Sequence, residues 1–246
     1  MVDHIIREAN KGDLLELHDW LQREYREINE GFFSNWNLIE EAFDVGELVV
    51  LVVEGQSVAF LVDGRYGPDI VEVRPDLRGR GFGQIIAEEA IRRAYKRDLS
   101  VIKIACAPIT SVPFWRKMGF TTVAGRDGRG GGDFAYKILE KDLVQQNGIR
   151  GLFSISLFPE ERGYNTNTKP HFTVQGVGSV AGSVLHLPSR VALFEARTQH
   201  SDDMVVRVEI NGSCLFEDKL KRPAAAEIGV LSDVGYNYFI DFINIK

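Results

Sequence analysis

The stretch VEVRPDLRGRGFGQ, residues 71–84, runs from a β-rich segment through three alternate glycines into a segment with helical periodicity. Alternate glycines let successive backbone N–H groups converge on an anion, and the start of the following helix adds the positive end of its dipole. Arg78 and Arg80 add forked N–H donors that suit phosphate oxygens. The stretch therefore predicts a pyrophosphate site.

Two common phosphate-binding motifs do not fit this stretch. A Walker loop needs four residues between its glycines and then Gly-Lys-Ser/Thr, which is absent from residues 78–84. A dinucleotide-binding fingerprint needs Gly-x-Gly-x-x-Gly spacing on the first strand of its unit, whereas this loop follows the third or fourth predicted strand. The loop belongs to another class of phosphate binder.

Strands and helices alternate outward from this loop as far as residue 148. Asp13 and Glu16 have the spacing of a capping box, and an apolar stripe follows them at Leu14, Leu17, Leu21, Tyr25 and Ile28. The predicted helices cover residues 13–28, 37–43, 84–95 and 114–118. The predicted strands cover residues 48–54 and 57–62, which form a hairpin, 70–74, 100–107, and a pair on either side of the glycine-rich stretch 125–132.

Two motifs carry a resemblance to a known family. Arg78–Gly83, preceded by Val73 and Pro75, resembles the acyl-CoA loop of the GNAT superfamily of N-acyltransferases, and the segment PFWRKMGF at 113–120 is similar to a second motif of that family. The predicted order of elements agrees with that family as well. The resemblance covers residues 4–142 and implies an α/β fold with a splayed central sheet and flanking helices.

The resemblance also implies acetyl-CoA as co-substrate, with no metal. In that family the loop amides hold the CoA diphosphate, and the pantetheine arm pairs with a free strand edge, here 71–74, across a splay from residues 102–107. The cofactor-binding residues carried over in this way are Val71, Val73, Arg74, Arg78, Gly79, Arg80, Gly81, Phe82, Gly83, Gln84, Phe114 and Trp115.

Direct attack of an amine on a thioester needs a base for the amine proton and an acid for the thiolate. Glu72 is the candidate base, because it is the carboxylate on the strand beside the splay, with apolar neighbours. The alternative is that Glu72 only pairs with an arginine on the strand's outer side. Asp76 is a weaker candidate base, since an Asp at that position more often forms a turn.

The acid is where the chain departs from the family. Trp115 stands where the family commonly has Tyr, and Pro108 stands where it commonly has an Asn that contacts pantetheine. An indole N–H donates a hydrogen bond but does not readily release its proton. Tyr136 or a bound water is therefore the candidate acid. Cys106 is expected to be a core residue and not an acylated nucleophile.

The resemblance implies a small-molecule or peptide amine as acceptor. An aromatic cluster falls where the family's acceptor loop lies: Tyr25, Phe32, Phe33 and Trp36. About half of these rings are expected to be core, and any that line a pocket would suit an acceptor with an apolar part.

Residues 149–246 have a different character, so two domains are predicted, an acyl-CoA-binding domain at 1–146 and an accessory domain at 149–246. Asn211-Gly212 between two alternating runs is a strong type I′ hairpin signal. Further strands are predicted at 172–175, 192–197 and 238–245, with no convincing helix, so a β-sandwich is expected. No motif in this part indicates a function.

The composition limits the classes of partner and the cellular location that are expected. The chain has 246 residues, a net charge of −6 and two cysteines, with no metal-ligand spacing, no secretory leader and no apolar run long enough for a membrane span. A cytoplasmic protein with no membrane or nucleic-acid partner is expected, and a homodimer is left open.

We expect an acyl-CoA-dependent N-acyltransferase that moves acetyl from acetyl-CoA to a primary amine by direct attack in a ternary complex. Two alternatives stay open at this point. One is a catalytically silent CoA-binding sensor or scaffold, which the departures at Trp115 and Pro108 would suit. The other is an interaction protein whose β domain carries the function.

Overall fold

The computed structural model describes residues 3–64, 66–125, 132–197 and 201–245. The chain divides into two compact units, Met1–Arg97 with Ile102–Lys137, and Asp98–Val101 with Ile138–Lys246. The boundary between the two predicted domains, 1–146 and 149–246, stays a prediction.

The N-terminal part alternates strands and helices in the predicted order. Its elements are β1 (His4–Glu8), α1 (Lys11–Ile28), α2 (Trp36–Asp44), β2 (Leu48–Val53), β3 (Gln56–Val62), β4 (Ile70–Val73), α3 (Phe82–Lys96), β5 (Val101–Ala105), α4 (Val112–Lys117), β6 (Thr121–Val123) and β7 (Phe134–Ile138). Within the described residues, β1 to β4 form an antiparallel sheet in chain order, and β5, β7 and β6 form a second sheet in that order. The α/β fold class is confirmed.

The β2–β3 hairpin is buried on both faces, which explains its nearly continuous apolar sequence. One face packs on α1 and α2, where Phe60 meets the Trp20 ring at 5.8 Å between centroids. The other face packs on α3 through Ile86 and Ala90. Burial of each aliphatic side chain stabilises the fold by about 1.5–3 kcal/mol relative to an exposed one. Because the hairpin contributes buried side chains to both faces, it is the centre of this core.

The start and the buried face of α1 differ from the prediction. Asn10 is the N-cap, accepting from Asp13 N at 3.1 Å, and the Asp13 carboxylate accepts from Asn10 N at 2.7 Å, so the capping box lies three residues earlier than predicted. The apolar stripe predicted through Tyr25 and Ile28 is wrong in its last turns, since both side chains are exposed. The buried residues of this helix are Asp13, Leu17, Trp20, Leu21 and Glu24.

The C-terminal part is built from long antiparallel strands. Its elements are β8 (Ile149–Phe158), β9 (Phe172–Ala181), β10 (Val184–Leu193), β11 (Val205–Ile210), β12 (Ser213–Lys219), α5 (Pro223–Glu227), β13 (Val230–Ser232) and β14 (Tyr238–Asn244). Asn211 and Gly212 both have positive φ, +50° and +81°, as the predicted type I′ hairpin requires. The short α5 and the strands β8 and β13 were not predicted, and the strand predicted at 192–197 is wrong beyond residue 193, where β10 ends.

The seven strands described in this part form one continuous sheet, in the order β12-β11-β8-β9-β10-β14-β13. The β-sandwich, which needs two separate sheets, is therefore not confirmed. The sheet curls around one apolar core that includes residues from most of its strands, among them Phe153, Leu185 and Ile240. Sequence alternation indicated several of the strands but gave no information on which edges pair, so the number of sheets could not be predicted.

Two glycines of β9 make room for this core. A Cβ on Gly176 would lie 2.6 Å from the Phe153 ring, and one on Gly178 would lie 2.5 Å from the His186 carbonyl oxygen. Such distances are below van der Waals contact, so a side chain at either position would push the neighbouring strand away.

No helix in the described ranges has both the length and the apolar character needed to cross a membrane.

Gly178→Ala is expected to lower the free energy of unfolding by about 1–3 kcal/mol, because its methyl group overpacks the contact with β10. Gly163→Ala is the matched control, since a Cβ there has no atom within 4 Å and the change should stay within about 0.5 kcal/mol of wild type. Urea unfolding of both variants measures the difference. Equal midpoints for the two would contradict this packing.

Candidate functional site

The glycine loop adopts a conformation that its residue types require. After β4 the chain makes a 3-10 turn at Pro75–Leu77, and α3 then begins at Phe82. Gly79 and Gly81 have φ of +81° and +92°, values that other residues adopt only with strain. A Cβ on either would meet no atom within 4 Å, so the conformation of the chain and not crowding selects glycine here.

The loop presents unpaired backbone donors. Among the described residues, none of the backbone N–H groups of residues 79–83 bonds a carbonyl, whereas the N–H of Gln84 and that of Ile85 both donate to the Gly81 carbonyl. Two of these unpaired groups belong to the first turn of α3, where the helix dipole is positive. The loop therefore has the donors and the field that an anionic group such as a diphosphate needs.

The free strand edge expected beside the loop is present. Among the described strands, β4 pairs with β3 alone, and β5 belongs to the other sheet, so β4 and β5 are not hydrogen-bonded neighbours. Arg74 N–H donates to Val58 O on β3 at 2.9 Å. The alternation of an antiparallel pair then turns the backbone groups of Val71 and Val73 toward the open edge.

One end of that edge is already bonded within the chain. The Val73 N–H donates to Glu72 Oε1 at 2.9 Å, and the Val73 carbonyl accepts from Arg78 Nε at 3.1 Å. The backbone of Val71 is thus the part of this edge left for an extended ligand in the described structure. Gly83 is helical and closely approached, since a Cβ there would begin 3.6 Å from Val73 and 3.4 Å from the Phe114 ring.

Glu72, the predicted base, belongs to a cluster of two carboxylates that share the guanidinium of Arg78. Its side chain is 11% exposed, and its Oε1 accepts from Arg78 Nη2 at 2.9 Å. The same Nη2 donates to Glu24 Oε1 at 2.6 Å, and the Glu24 side chain is 5% exposed. Glu72 Oε2 bonds no described residue, so this oxygen is left to accept a proton.

Burial raises the pKa of Glu72 above its ordinary value of 4.5. The positive charge of Arg78 and the hydrogen bond from Val73 N–H oppose this shift, while the negative charge of Glu24 adds to it. A carboxyl group with a raised pKa is a stronger base once it is ionised, which suits proton transfer from an amine.

The predicted phosphate donors differ in how much of their capacity is used. Arg74 binds Asp76 through two hydrogen bonds, one of them from Nε to Oδ1 at 2.9 Å. Its Nη1 also donates to Gln56. Arg78 uses Nε and Nη2 within the chain, which leaves Nη1 without a bond to the described residues. Arg80 is exposed and forms no hydrogen bond with the part of the chain described.

Asp76 is poorly suited to be the base. Its hydrogen bond from Arg74 lowers its pKa, and the side chain is exposed. The weaker basicity and the arginine partner favour the turn-forming role over a catalytic one.

The second motif lies beside the first. Phe114 on α4 approaches the start of α3 at Gly83, and Trp115 is 5% exposed, with its ring centroid 4.9 Å from Phe114 and 5.1 Å from Phe120. The structure thus brings Phe114 to the loop and places Trp115 in the core. Contact of either ring with a cofactor stays a prediction.

The two remaining candidates lie on the β5–β7–β6 sheet or next to it. Tyr136 is half-buried on the middle strand β7, opposite Thr121 of β6. Cys106 follows β5, is 6% exposed, and its burial raises the pKa of its thiol. The low thiolate fraction supports a core role for Cys106.

Two residues of α1, Glu24 and His18, were not among the site residues predicted from the sequence. Glu24 lies four residues after Trp20 and three after Leu21, and so shares their buried face. The His18 ring packs edge-on against Phe33 at 5.4 Å and Trp36 at 4.9 Å between centroids. The helical spacing of Glu24 from Trp20 and Leu21 is the signal that could have identified it as a buried carboxylate.

No cluster of three or more metal-ligating side chains occurs within the described ranges. Residues 126–131 of the glycine-rich stretch lie outside those ranges.

Comparison with known proteins gives a family for the first part of the chain. Residues 14–120 match the model described as the Acetyltransferase (GNAT) family. A search of curated proteins gives no match.

Solved structures similar to this chain include an acetyltransferase of the GNAT family from Staphylococcus aureus, with 16% identity over 56% of this chain and 99% of that chain, and a TM-score of 0.45. A GNAT acetyltransferase from Listeria monocytogenes has 15% identity over 56% and 96% of the two chains, with a TM-score of 0.46. The polyamine N-acetyltransferase of Drosophila melanogaster, described as forming N-acetylagmatine, has 16% identity over 56% and 100%, with a TM-score of 0.43. On the family match, residues 14–120 of this protein are a GNAT-family acetyltransferase domain.

Proposed function

We propose that this protein is an acyl-CoA-dependent N-acetyltransferase that transfers acetyl from acetyl-CoA to a primary amine by direct attack in a ternary complex. The observation that carries the proposal is the loop at residues 79–83, whose unpaired N–H groups adjoin both an open strand edge and a buried carboxylate, Glu72. The family match of residues 14–120 supports the class of reaction.

The residues present suit CoA. The N–H groups of the loop would hold its diphosphate, with Arg80 and the Nη1 of Arg78 adding charge, and the backbone of Val71 would pair with the pantetheine arm. Phe82, Gln84 and Phe114 lie around the same helix start. When bound, acetyl-CoA supplies an activated acetyl thioester.

Glu72 serves as the base in this proposal. Its Oε1 is held by Arg78 and Val73 N–H, which orients the carboxylate, and its Oε2 takes the proton that the amine loses on attack. Ionised Glu72 is the active form, so activity should rise with pH through the Glu72 pKa.

Tyr136 serves as the acid that protonates the leaving thiolate, because Trp115 is buried and holds its indole proton. The acceptor is a small-molecule or peptide amine, and the aromatic rings of Phe33 and Trp36 beside His18 suit an acceptor with an apolar part. Residues 149–246 act as an accessory domain in this proposal.

Gly81→Glu is expected to abolish acetyl-CoA binding, because it adds strain at φ +92° and places a negative charge at the diphosphate position. Gly55→Glu is the matched control, with φ +79°, equally open space and the same added charge, in the β2–β3 turn. Wild type and Gly55→Glu should gain about 2.7 kcal/mol of stability at acetyl-CoA concentrations of 100 Kd, measured by thermal unfolding. Equal stabilisation of the Gly81 variant would remove the loop from the site.

Glu72→Gln is expected to lower kcat about 10²–10⁴-fold with acetyl-CoA affinity kept, because the amide cannot take the proton. For wild type, kcat/KM should rise with pH on a limb whose midpoint lies above 4.5, as the raised pKa of Glu72 requires, and this limb should vanish in the variant. CoA release across an amine panel at stepped pH measures both.

Glu41→Gln, an exposed carboxylate on α2, is the control for charge loss in that assay. Loss of turnover in Asp76→Asn with none in Glu72→Gln would assign the base to Asp76 instead. Binding of acetyl-CoA without turnover on any amine would favour a CoA-binding sensor over an enzyme.

Tyr136→Phe is expected to lower kcat about 10²–10⁴-fold, because the ring keeps its packing but loses the hydroxyl that donates the proton. Tyr95→Phe, on the exposed side of α3, is the control. An unchanged kcat in the Tyr136 variant would leave a bound water as the acid.

A further inference from the structure

We propose that Glu24 is a positioning residue of this site, which shares the Arg78 guanidinium with Glu72 and thereby sets how readily Glu72 takes up a proton. The inference rests on the proposed function, because it assigns to Glu24 a part in preparing the proposed base.

A single guanidinium nitrogen serves both carboxylates. Arg78 Nη2 lies 2.6 Å from Glu24 Oε1 and 2.9 Å from Glu72 Oε1. The nitrogen has two hydrogens, one for each acceptor, so neither carboxylate receives the bidentate pairing that Arg gives a single partner. Glu24 has the shorter bond and therefore takes the larger share.

Glu24 depends on this bond more than Glu72 does. Its Oε2 is buried with no hydrogen-bond partner in the described structure, and Arg78 is the cation bonded to its other oxygen. Gly31 closes over the carboxylate, since a Cβ there would begin 3.2 Å from Oε2, and Gly31 has φ +97°. A buried carboxylate with so little solvation holds its counter-ion strongly.

Glu24 and Arg78 are the charged residues that shift the pKa of Glu72. The α1 helix contributes Glu24 and the loop contributes Arg78, while the β3 segment Gln56–Val62 and the α3 segment Phe82–Ala87 contain no titratable side chain. Two carboxylates on one guanidinium leave one net negative charge in a half-buried place. Uptake of a proton by one of them relieves that charge, and Glu72, with its unbonded Oε2, is positioned to take it.

A purely structural role for Glu24 would not need this arrangement. One carboxylate is enough to pair Arg78, and a second buried one adds a desolvation cost that its shared hydrogen bond repays only in part. Because Arg78 is shared, its positive charge balances the negative charge of Glu72 only in part. A carboxylate whose charge is only partly balanced accepts a proton more readily, as a base must.

Glu24→Gln tests the inference, because the amide oxygen still accepts from Arg78 while the charge is removed. We expect the midpoint of the Glu72 titration to fall, since the negative charge of Glu24 no longer opposes the ionisation of Glu72 beside Arg78. The readout is the ¹³C carboxyl titration of Glu-labelled protein, with the Glu72 signal identified by its loss in Glu72→Gln. The acid limb of kcat/KM should move to lower pH by the same amount.

Glu27→Gln, exposed on the same helix, is the matched control and should leave the Glu72 titration unchanged. Glu24→Asp keeps the charge and should stay close to wild type. If Glu24→Gln does not fold, Glu24→Met is used in its place, and the Glu72 midpoint is again expected to fall. A Glu72 midpoint that is equal in wild type and in the folded charge-removing variant contradicts the inference.

The carboxyl titration separates this inference from the proposed function. If no amine is acetylated at any pH, the proposed function fails, while the titration still decides the part assigned to Glu24. If turnover is found and the midpoint does not move, the proposed function stands and Glu24 is a structural residue.

Discussion

The candidate site depends on one guanidinium. Arg78 joins the three pieces that surround it: α1 through Glu24, the β4 strand through Glu72 and the Val73 carbonyl, and the glycine loop in which it lies. A half-buried carboxylate on an edge strand would otherwise be costly, because burial disfavours its charge. Arg78 stabilises it without neutralising it fully, since the guanidinium is shared.

The glycine loop sets the second constraint. Positive φ at Gly79 and Gly81 turns the chain so that α3 begins directly beside the end of β4. This turn leaves the N–H groups of residues 79–83 without a bond to any carbonyl of the described residues, and it brings Arg78 back over the strand that precedes it. The anion-binding donors and the orientation of Glu72 therefore follow from one local conformation, with the buried β2–β3 hairpin as the support beneath it.

Much of the fold could be predicted from the sequence where a local signal was strong. The continuous apolar run of β2, the glycine loop and the helical period of α3 each gave the correct element, and Asn211-Gly212 gave the correct hairpin. The single sheet of the C-terminal part could not be predicted, because strand alternation does not encode which edges pair. The α1 cap was misplaced because Asp13 acts as the third helical residue and not as the cap.

The site was predictable in its composition but not in its connections. Glu72, Arg78 and the glycines follow from the motif, and Phe114 lies against Gly83 as a shared site would require. The partnership of Arg78 with Glu24 joins residues 54 positions apart and has no local signature. Arg78 was expected to face phosphate, whereas two of its nitrogens bond within the chain, so its electrostatic part in the site is different from the one the motif indicates.

The central claim is that the N–H groups of residues 79–83 hold the diphosphate of CoA. Amide NMR of the ¹⁵N-labelled full chain during a titration with CoA tests it most directly. We expect the amide signals of Gly79 to Gly83 to show the largest shifts, saturating together with the signal of Val71. Saturable CoA binding that moves other amides and leaves residues 79–83 in place would contradict it.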